Sequence, residues 1–443
     1  MNNRIINLRN LLIFLFLSSV FLLSITKIYD YDAWIHLTMG RLIWTLKGFP
    51  ETEPFLYTMQ DKPFVYSSWL FGVIYYLAYK LFNTYGVIIL KATTITIAFY
   101  ILLRDMLIEQ QGSRSEWKQG INLQLIIAII VLSITVLVTR YRFVERPDTF
   151  LMVFLTFSIY SLNAYIYQGR KYLYALPIIH LLWANSHSSI NLMFVPFGAF
   201  LVGGLISRLW DKTTILDKQL KTILIIFILS FIASLISPYF ISQYISGIQF
   251  MATDWYKHEI IELQPPTWDT SKSPYIITAI VTLSFIIKLL LGFRDKDRGW
   301  ARDIIYIILI LPFIYLSFTA VRFIFILAMV SAPLIVRNVL AIVEGIRDKI
   351  SLRPTVIRIG SILICLWIIL YTSLSITNIK PFGNERFTTG FGFDYRLVPE
   401  GALKYMDKRG VTGRLYNTFQ WGQYIIWRDY PMRVPFIDGR GYI

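Results

Sequence analysis

Apolar runs of membrane-crossing length recur along almost the whole chain, and they restrict it to a helical membrane bundle before any single residue is considered. A hydrocarbon core about 30 Å thick takes roughly 20 residues of apolar helix, with every backbone amide bonded inside its own segment. Such runs fall near 7–26, 84–103, 121–139, 148–167, 172–186, 190–207, 221–237, 273–292, 303–319, 322–340 and 357–376, the run at 172–186 being short. The expected fold class is an all-α polytopic membrane protein of about 11 transmembrane helices. Composition agrees, since 16% of the 443 residues are charged against roughly 25% in ordinary globular domains. No internal repeat is visible, so a transporter built from inverted halves gains no support. The first run follows Arg4 and Arg9, and no small-x-small cleavage pattern comes after it, which favours a retained anchor over a removed signal peptide.

The net charge of +16 does not point to nucleic acid, because the basic residues cluster in short loops rather than on one face. Arg208, Lys212, Lys218 and Lys221 mark one loop as cytoplasmic, as do Arg294, Lys296, Arg298 and Arg302, and Arg337, Arg347, Lys349, Arg353 and Arg358. That bias puts the N-terminus inside and the tail from about 377 outside a plasma (inner) membrane. Counting 67–82 as a span would invert the earlier loops. It reads instead as a helix on the outer interface, with Trp69, Tyr75, Tyr76 and Tyr79 as interfacial aromatics. Every loop rich in polar residues then lies outside: 27–66, 140–147, 186–190, 238–272 and the tail. A membrane domain over 1–376, with 27–83 as a structured first outer loop, is expected to precede an outward α/β tail over 377–443. In that tail 402–409 reads as a helix, and 414–417, 424–427 and 434–437 as strands. The chain stops soon after Asp438-Gly439-Arg440, so the tail is either cut short or completes the outer cap.

The outer loops supply the candidate chemistry. Asp30 and Asp32 follow the first span directly, and Asp32 and His36 share a face if the next stretch is helical. A partly desolvated carboxylate there suits a general base, while an acid at this point equally suits a helix cap. Arg142 and Arg146 suit an anionic head group, and so does Arg322 between two apolar runs; snorkelling, or pairing with Glu145 and Asp148, would explain the loop arginines as well. Lys91 lies in an apolar run near its outer half and can face a cavity, whereas Lys288 is placed to snorkel at the inner end. Asn185 and His187 break two short apolar runs and suit a polar cavity or interhelical bonds. The stretch from Asp254 to Trp268, with Glu259 and Glu262, sets aromatics beside carboxylates, as a sugar site or a membrane interface does. A metal is left open: Asp30, Asp32, His36, His187, Glu259 and Glu262 are hard or borderline ligands without a fixed-spacing motif. The lone Cys365 excludes a disulfide framework, and no phosphate loop or dinucleotide fingerprint is present.

A first span, then a long outer loop opening on acids, then an interfacial helix, the turn Asn83-Thr84-Tyr85-Gly86 and Lys91 in the next span resembles the GT-C superfamily of membrane glycosyltransferases. That superfamily includes protein mannosyltransferases, oligosaccharyltransferases and aminoarabinose transferases. The chain also looks like prokaryotic mannosyltransferase-like membrane proteins at Asp32-x-Trp34-x-His36, Arg146-Pro147, Trp183-Ala184-Asn185-x-His187, Trp421-Gly422-Gln423-Tyr424 and Ile437-Asp438-Gly439-Arg440. It departs from the mannosyltransferase branch before the interfacial helix, where Tyr66-Ser67-Ser68-Trp69-Leu70 replaces a His-Pro-Pro-Leu-like stretch. The resemblance implies transfer of a hexosyl or pentosyl unit from a polyprenyl-phosphate-linked sugar to a glycan, lipid or protein acceptor at the outer face, with inversion. It implies Asp32, or else Asp30, as base and His36 orienting it or touching phosphate. Arg142, Arg146 and Arg322, with Lys91, would hold the phosphate, and Asn185, His187 and Glu262 would line the cavity. Asp30 and Asp32 would hold a divalent cation (Mg or Mn) if one is used. The competing expectations are a polysaccharide polymerase or ligase, which would tolerate loss of Asp32, and a non-catalytic carrier or scaffold for lipid-linked saccharides.

Overall fold

The computed structural model describes residues 8–108, 123–209, 215–253, 257–258, 260–290, 299–347, 354–377 and 388–440. Asp254, Glu259, Lys212, Arg294, Lys296, Arg298, Lys349 and Arg353, all named above, lie outside the described residues. The helices are α1 (Leu8–Leu23), α2 (Tyr31–Leu46), α3 (Trp69–Met106), α4 (Leu123–Thr139), α5 (Asp148–Gln168), α6 (Leu176–Ser186), α7 (Phe194–Ser207), α8 (Asp217–Ser234), α9 (Ser242–Ala252), α10 (Ser273–Leu290), α11 (Gly299–Thr319), α12 (Ile324–Arg347) and α13 (Pro354–Ile376). The tail adds α14 (Glu400–Lys408), β1 (Gly413–Leu415), α15 (Gly422–Asp429) and β2 (Arg433–Pro435).

Among the described residues, eight helical stretches are long and apolar enough to cross a membrane. The remaining expected runs are also helices: α1 with 16 residues, α6 with 11, and α8, whose first turn carries Asp217 and Lys218. The chain is a multi-pass helical membrane protein. Its helices invert the soluble pattern, with Ile280, Leu283, Ile362 and Leu366 exposed on the outside while Ser284, Lys288 and Ser361 are buried. That is the arrangement expected when the surrounding solvent is lipid. At the centre Phe16 and Val20 of α1 pack with Ile95 and Phe99 of α3 and Leu132 of α4.

The chain breaks helical geometry inside α3 at Phe82 and Asn83, whose φ is 54°. The break separates the Trp69 half from the half that crosses the bundle, so the interfacial reading of 67–82 and the span after it correspond to two distinct pieces. Helix α2 crosses the first piece at backbone distance: a Cβ on Gly40 would lie 2.0 Å from the carbonyl oxygen of Gly72. Only hydrogen fits there. This crossing sets the direction of the helix that opens at Asp30.

The tail is stitched to the strand-like segment between α1 and α2. Lys27 N donates to Thr388 O at 2.8 Å, Ile28 N to Gly392 O at 3.0 Å, and Asp394 N to Ile28 O at 2.8 Å. Its two strands pair in parallel, Gly413 opposite Arg433 and Leu415 opposite Pro435. This corrects the expected strand at 424–427, which lies in helix α15. Parallel strands need a crossover, and α15 is that crossover. Its apolar run packs on both sides, Tyr424 and Ile425 against Trp34 and Leu403, Ile426 against Met39 and Phe55.

Charged groups are also buried between the helices away from the outer loops. Lys288 does not snorkel; it is buried with Nζ 2.7 Å from Asp303, whose other oxygen lies 3.3 Å from Arg337. Close by, Asp105 accepts from Asn163 at 2.8 Å and from the Tyr306 hydroxyl at 3.0 Å. An unpaired charge at that depth is costly, so these groups are partnered across helices.

Candidate active site

Asp30 ends the extended segment and caps α2, its Oδ1 accepting from Asp32 N at 2.9 Å. The capping expectation therefore holds for Asp30. Asp32, the second residue of α2, joins the cap through its backbone N–H and turns its carboxylate to other partners. The two carboxylates converge on one guanidinium: Arg146 Nε lies 2.8 Å from Asp30 Oδ1 and its Nη2 3.2 Å from Asp32 Oδ2. The third arm, Nη1, reaches Glu262 Oε1 at 2.5 Å. Glu262 uses its other oxygen on Arg142, which also holds Asp148 at 2.5 Å. Arg322 stands within electrostatic reach of Asp148 and Glu262. Its turn is tied down by Tyr141, whose hydroxyl donates to Val321 O at 3.0 Å, and by Val321 N on Gln264 O at 3.0 Å. Residues from the first loop, the 140–148 turn, the 260–264 turn and the 321–323 turn thus meet at one end of the bundle.

Accessibility differs within this cluster. The side chains of Arg142 and Asp148 are 4% and 5% exposed, whereas Asp32 and Glu262 are 32% and 31% exposed. The open carboxylates are therefore Asp32 and Glu262, and Asp30 sits behind them. Burial pushes the Asp30 carboxyl up from its ordinary range, against the pull of Arg146. Burial acts on Glu262 in the same sense, but Arg142 and Arg146 together more than reverse it and hold that carboxyl well below the usual range.

His36 does not turn to Asp32. Its Nδ1 lies 2.6 Å from the Tyr66 hydroxyl. Burial, with the positive charge of Arg146 nearby, lowers the imidazole pKa to about 3, so the ring is neutral. Burial also keeps the Tyr66 hydroxyl protonated, and the hydroxyl and Nδ1 share one hydrogen bond whose donor is set by the imidazole tautomer. The His36 ring is thus neutral and held by Tyr66. His187 accepts from Ser189 N at 2.8 Å through Nδ1, which aims Nε2 at Asp148 Oδ1, 3.5 Å away. Asn185 accepts from Trp69 Nε1 at 2.8 Å and donates to Ile236 O at 2.9 Å, joining three segments rather than facing the carboxylates.

Lys91, expected beside the phosphate, is fully buried: Nζ lies 2.6 Å from Glu145 Oε1 and 2.8 Å from Thr26 Oγ1. This pair fixes the residue next to Arg146, so Lys91 supports the site from behind. The pairing of Arg142 with Asp148 is one the sequence offered, whereas Tyr66 stands out only in the structure. Tyr66 is one aromatic among many in the first loop.

A hard divalent cation suits carboxylate oxygens in kind. As folded, however, Asp30, Asp32 and Glu262 are arranged around the Arg146 guanidinium, and among the described residues no group of three or more acidic, His or Cys side chains is placed to hold a metal. A cation would have to displace Arg146. The residues in this arrangement do not fit one, and no step below runs through it.

No family model matches the chain, and no curated protein sequence matches it. Solved structures of the oligosaccharyltransferase of Archaeoglobus fulgidus do. The AglB enzyme in complex with an inhibitory peptide and a dolichol-phosphate is 10% identical with a TM-score of 0.59. The form tethered by a disulfide bond to an acceptor peptide containing the NVT sequon is 13% identical with a TM-score of 0.57. The apo form is 11% identical, again with a TM-score of 0.59. The alignments cover 96% or 97% of this chain but 64% of the archaeal one, so this chain spans under two thirds of its length. At these identities the likeness speaks to fold alone. By that likeness the chain shares the fold of the aligned part of the archaeal enzyme.

Proposed function

We propose that this chain is a glycosyltransferase that moves a sugar from a polyprenyl-phosphate carrier to an acceptor at the outer face of the plasma (inner) membrane. The observation that carries the reading is the contact between Asp32, an accessible carboxylate, and Arg146, one of three arginines gathered at the same end of the bundle. In this reading that carboxylate is the base, beside the positive charge that a departing phosphate needs. Lipid-linked donors are consistent with the fold's solved relatives, one of which was captured with a dolichol-phosphate and another with an acceptor peptide.

In this reading the acceptor hydroxyl attacks the anomeric carbon while Asp32 Oδ2 takes its proton. The bond from that carbon to the phosphate oxygen breaks, and the oxygen leaves with the electron pair as polyprenyl phosphate. A single displacement inverts the sugar carbon. Arg142 and Arg146 present a paired fork that Glu262 occupies in the structure. The phosphate replaces Glu262 there, and Arg322 adds charge from the side. Residues 1–376 form the membrane domain, with the N-terminus cytoplasmic, and residues 377–443 cap the site from outside.

The test is release of free polyprenyl phosphate from a panel of polyprenyl-phosphate sugars, by protein in nanodiscs supplied with cell-envelope extract. Release by the wild type and its loss in Asp32→Asn, with donor still bound, supports a transferase with this base. Release that persists in Asp32→Asn but fails in Arg146→Ala favours the polymerase or ligase reading. Donor binding with no release from any donor favours a carrier or scaffold.

A further inference from the structure

The stretches Trp421-Gly422-Gln423-Tyr424 and Ile437-Asp438-Gly439-Arg440 have no part in the mechanism above, yet they end on its base. Gln423 is 1% exposed, and its Nε2 donates to Asp32 Oδ1 at 3.2 Å. The other oxygen of Asp32 faces Arg146. The carboxylate is thus gripped from two sides, by the second loop and by the tail. The amide can sit only one way round, since turning it would set its oxygen against the carboxylate.

A seat of glycines holds that amide. A Cβ on Gly439 would lie 2.8 Å from Gln423 Nε2, and a Cβ on Gly422 would lie 2.1 Å from Ile437 O. Side chains at either place would push Gln423 off Asp32. The seat is anchored in turn to the first loop. Arg440 reaches Glu53 at 2.7 Å and 3.0 Å with two nitrogens and holds Asp438 as well, while Glu53 is itself buried and accepts from Phe55 N.

We infer that Gln423 is a positioning residue of the tail that fixes the rotamer of Asp32 for proton abstraction; this rests on the reading of Asp32 as the base. A carboxylate free to rotate presents its lone pair to the acceptor for less of the time, and misplacement of about 1 Å at a reacting group costs up to roughly a hundredfold.

The experiment measures kcat and KM for the lipid donor in Gln423→Leu and Gln423→Glu, each also in an Asp32→Glu background. The second variant keeps the shape of glutamine but removes the donor, so it remains informative if Gln423→Leu unfolds. Positioning lowers kcat about tenfold or more in both variants while KM stays within about twofold. In the Asp32→Glu background, where the carboxylate has already moved, the same changes cost no more than about twofold further. Unchanged kcat in Gln423→Glu, or losses that multiply in full in the Asp32→Glu background, overturns the inference. Transfer that survives Asp32→Asn removes the base assignment instead, and the two failures are thereby told apart.

Discussion

Lys91 Nζ lies 2.6 Å from Glu145 Oε1 between α3 and the turn that carries Arg146, and neither side chain has any exposed surface. Two charges withdrawn completely from solvent hold each other; removing one leaves the other buried without compensation. Lys91→Met should therefore destabilise the protein by about 3–5 kcal/mol. Adding Glu145→Gln should restore part of that loss, because the stranded charge is gone. Thermal unfolding in detergent of the single and double variants measures both effects, and a double variant no better than Lys91→Met would contradict the pairing.

Asp30 and Asp32 should separate on substitution. Asn caps a helix about as well as Asp, so Asp30→Asn should keep α2 in place and retain most of the transfer rate. Asp32→Asn removes the accessible carboxylate and, on the proposed mechanism, should lower turnover by about a hundredfold or more, with donor affinity within a few-fold. Polyprenyl phosphate release gives the rate, and donor titration into nanodiscs gives the affinity. Equal losses in the two variants would argue against the division of roles.

Arg146→Ala should turn the cluster into a cation site. Without the guanidinium, Asp30, Asp32 and Glu262 face one another with no shared counter-charge, and carboxylate oxygens bind hard divalent ions. Added Mn²⁺ should raise the melting temperature of the variant more than that of the wild type, and spin resonance should report bound ion. An equal response in both proteins would mean that the guanidinium and the metal do not compete for these oxygens.

His36 sets a pH dependence. Its folded pKa is lowered to about 3, below an unfolded value of about 6.5. Between those values the unfolded chain holds a proton that the folded one refuses, so stability falls as pH is lowered through that window. The slope is at most roughly 1.4 kcal/mol per pH unit from this group. His36→Gln keeps a partner for Tyr66 and should flatten the fall in melting temperature between pH 7 and pH 5. An unchanged slope in that variant would place the acid sensitivity in other residues.

The helical bundle and the acidic and basic segments at its end are legible in the sequence because lipid penalises exposed backbone and idle charge so heavily. A run of 20 apolar residues has few other fates, and Arg142, Arg146 and Asp32 stand out where the apolar runs stop. Pairing is another matter. The bond from Arg146 to Asp30 joins residues 116 apart, and nothing local indicates that Lys91 spends its charge on Glu145 rather than on a substrate. Lys288 looks able to snorkel until its partner Asp303, on the next helix, is in view. The conformation of 424–427 fails for a related reason: β-branched and aromatic residues suit a strand, but burial on both sides between α2 and the tail sheet decides for a helix.

Gln423 meets Asp32 across 391 residues of sequence. A ribosome working at roughly 5–20 residues per second takes about 20–80 seconds to cover that distance. Asp32 is therefore made long before Gln423, and the bond between them forms only once the tail has been made and brought to the same surface. A nascent chain halted after the 321–323 turn but before the tail holds the arginines and the carboxylates and lacks the amide that bonds Asp32 from the other side.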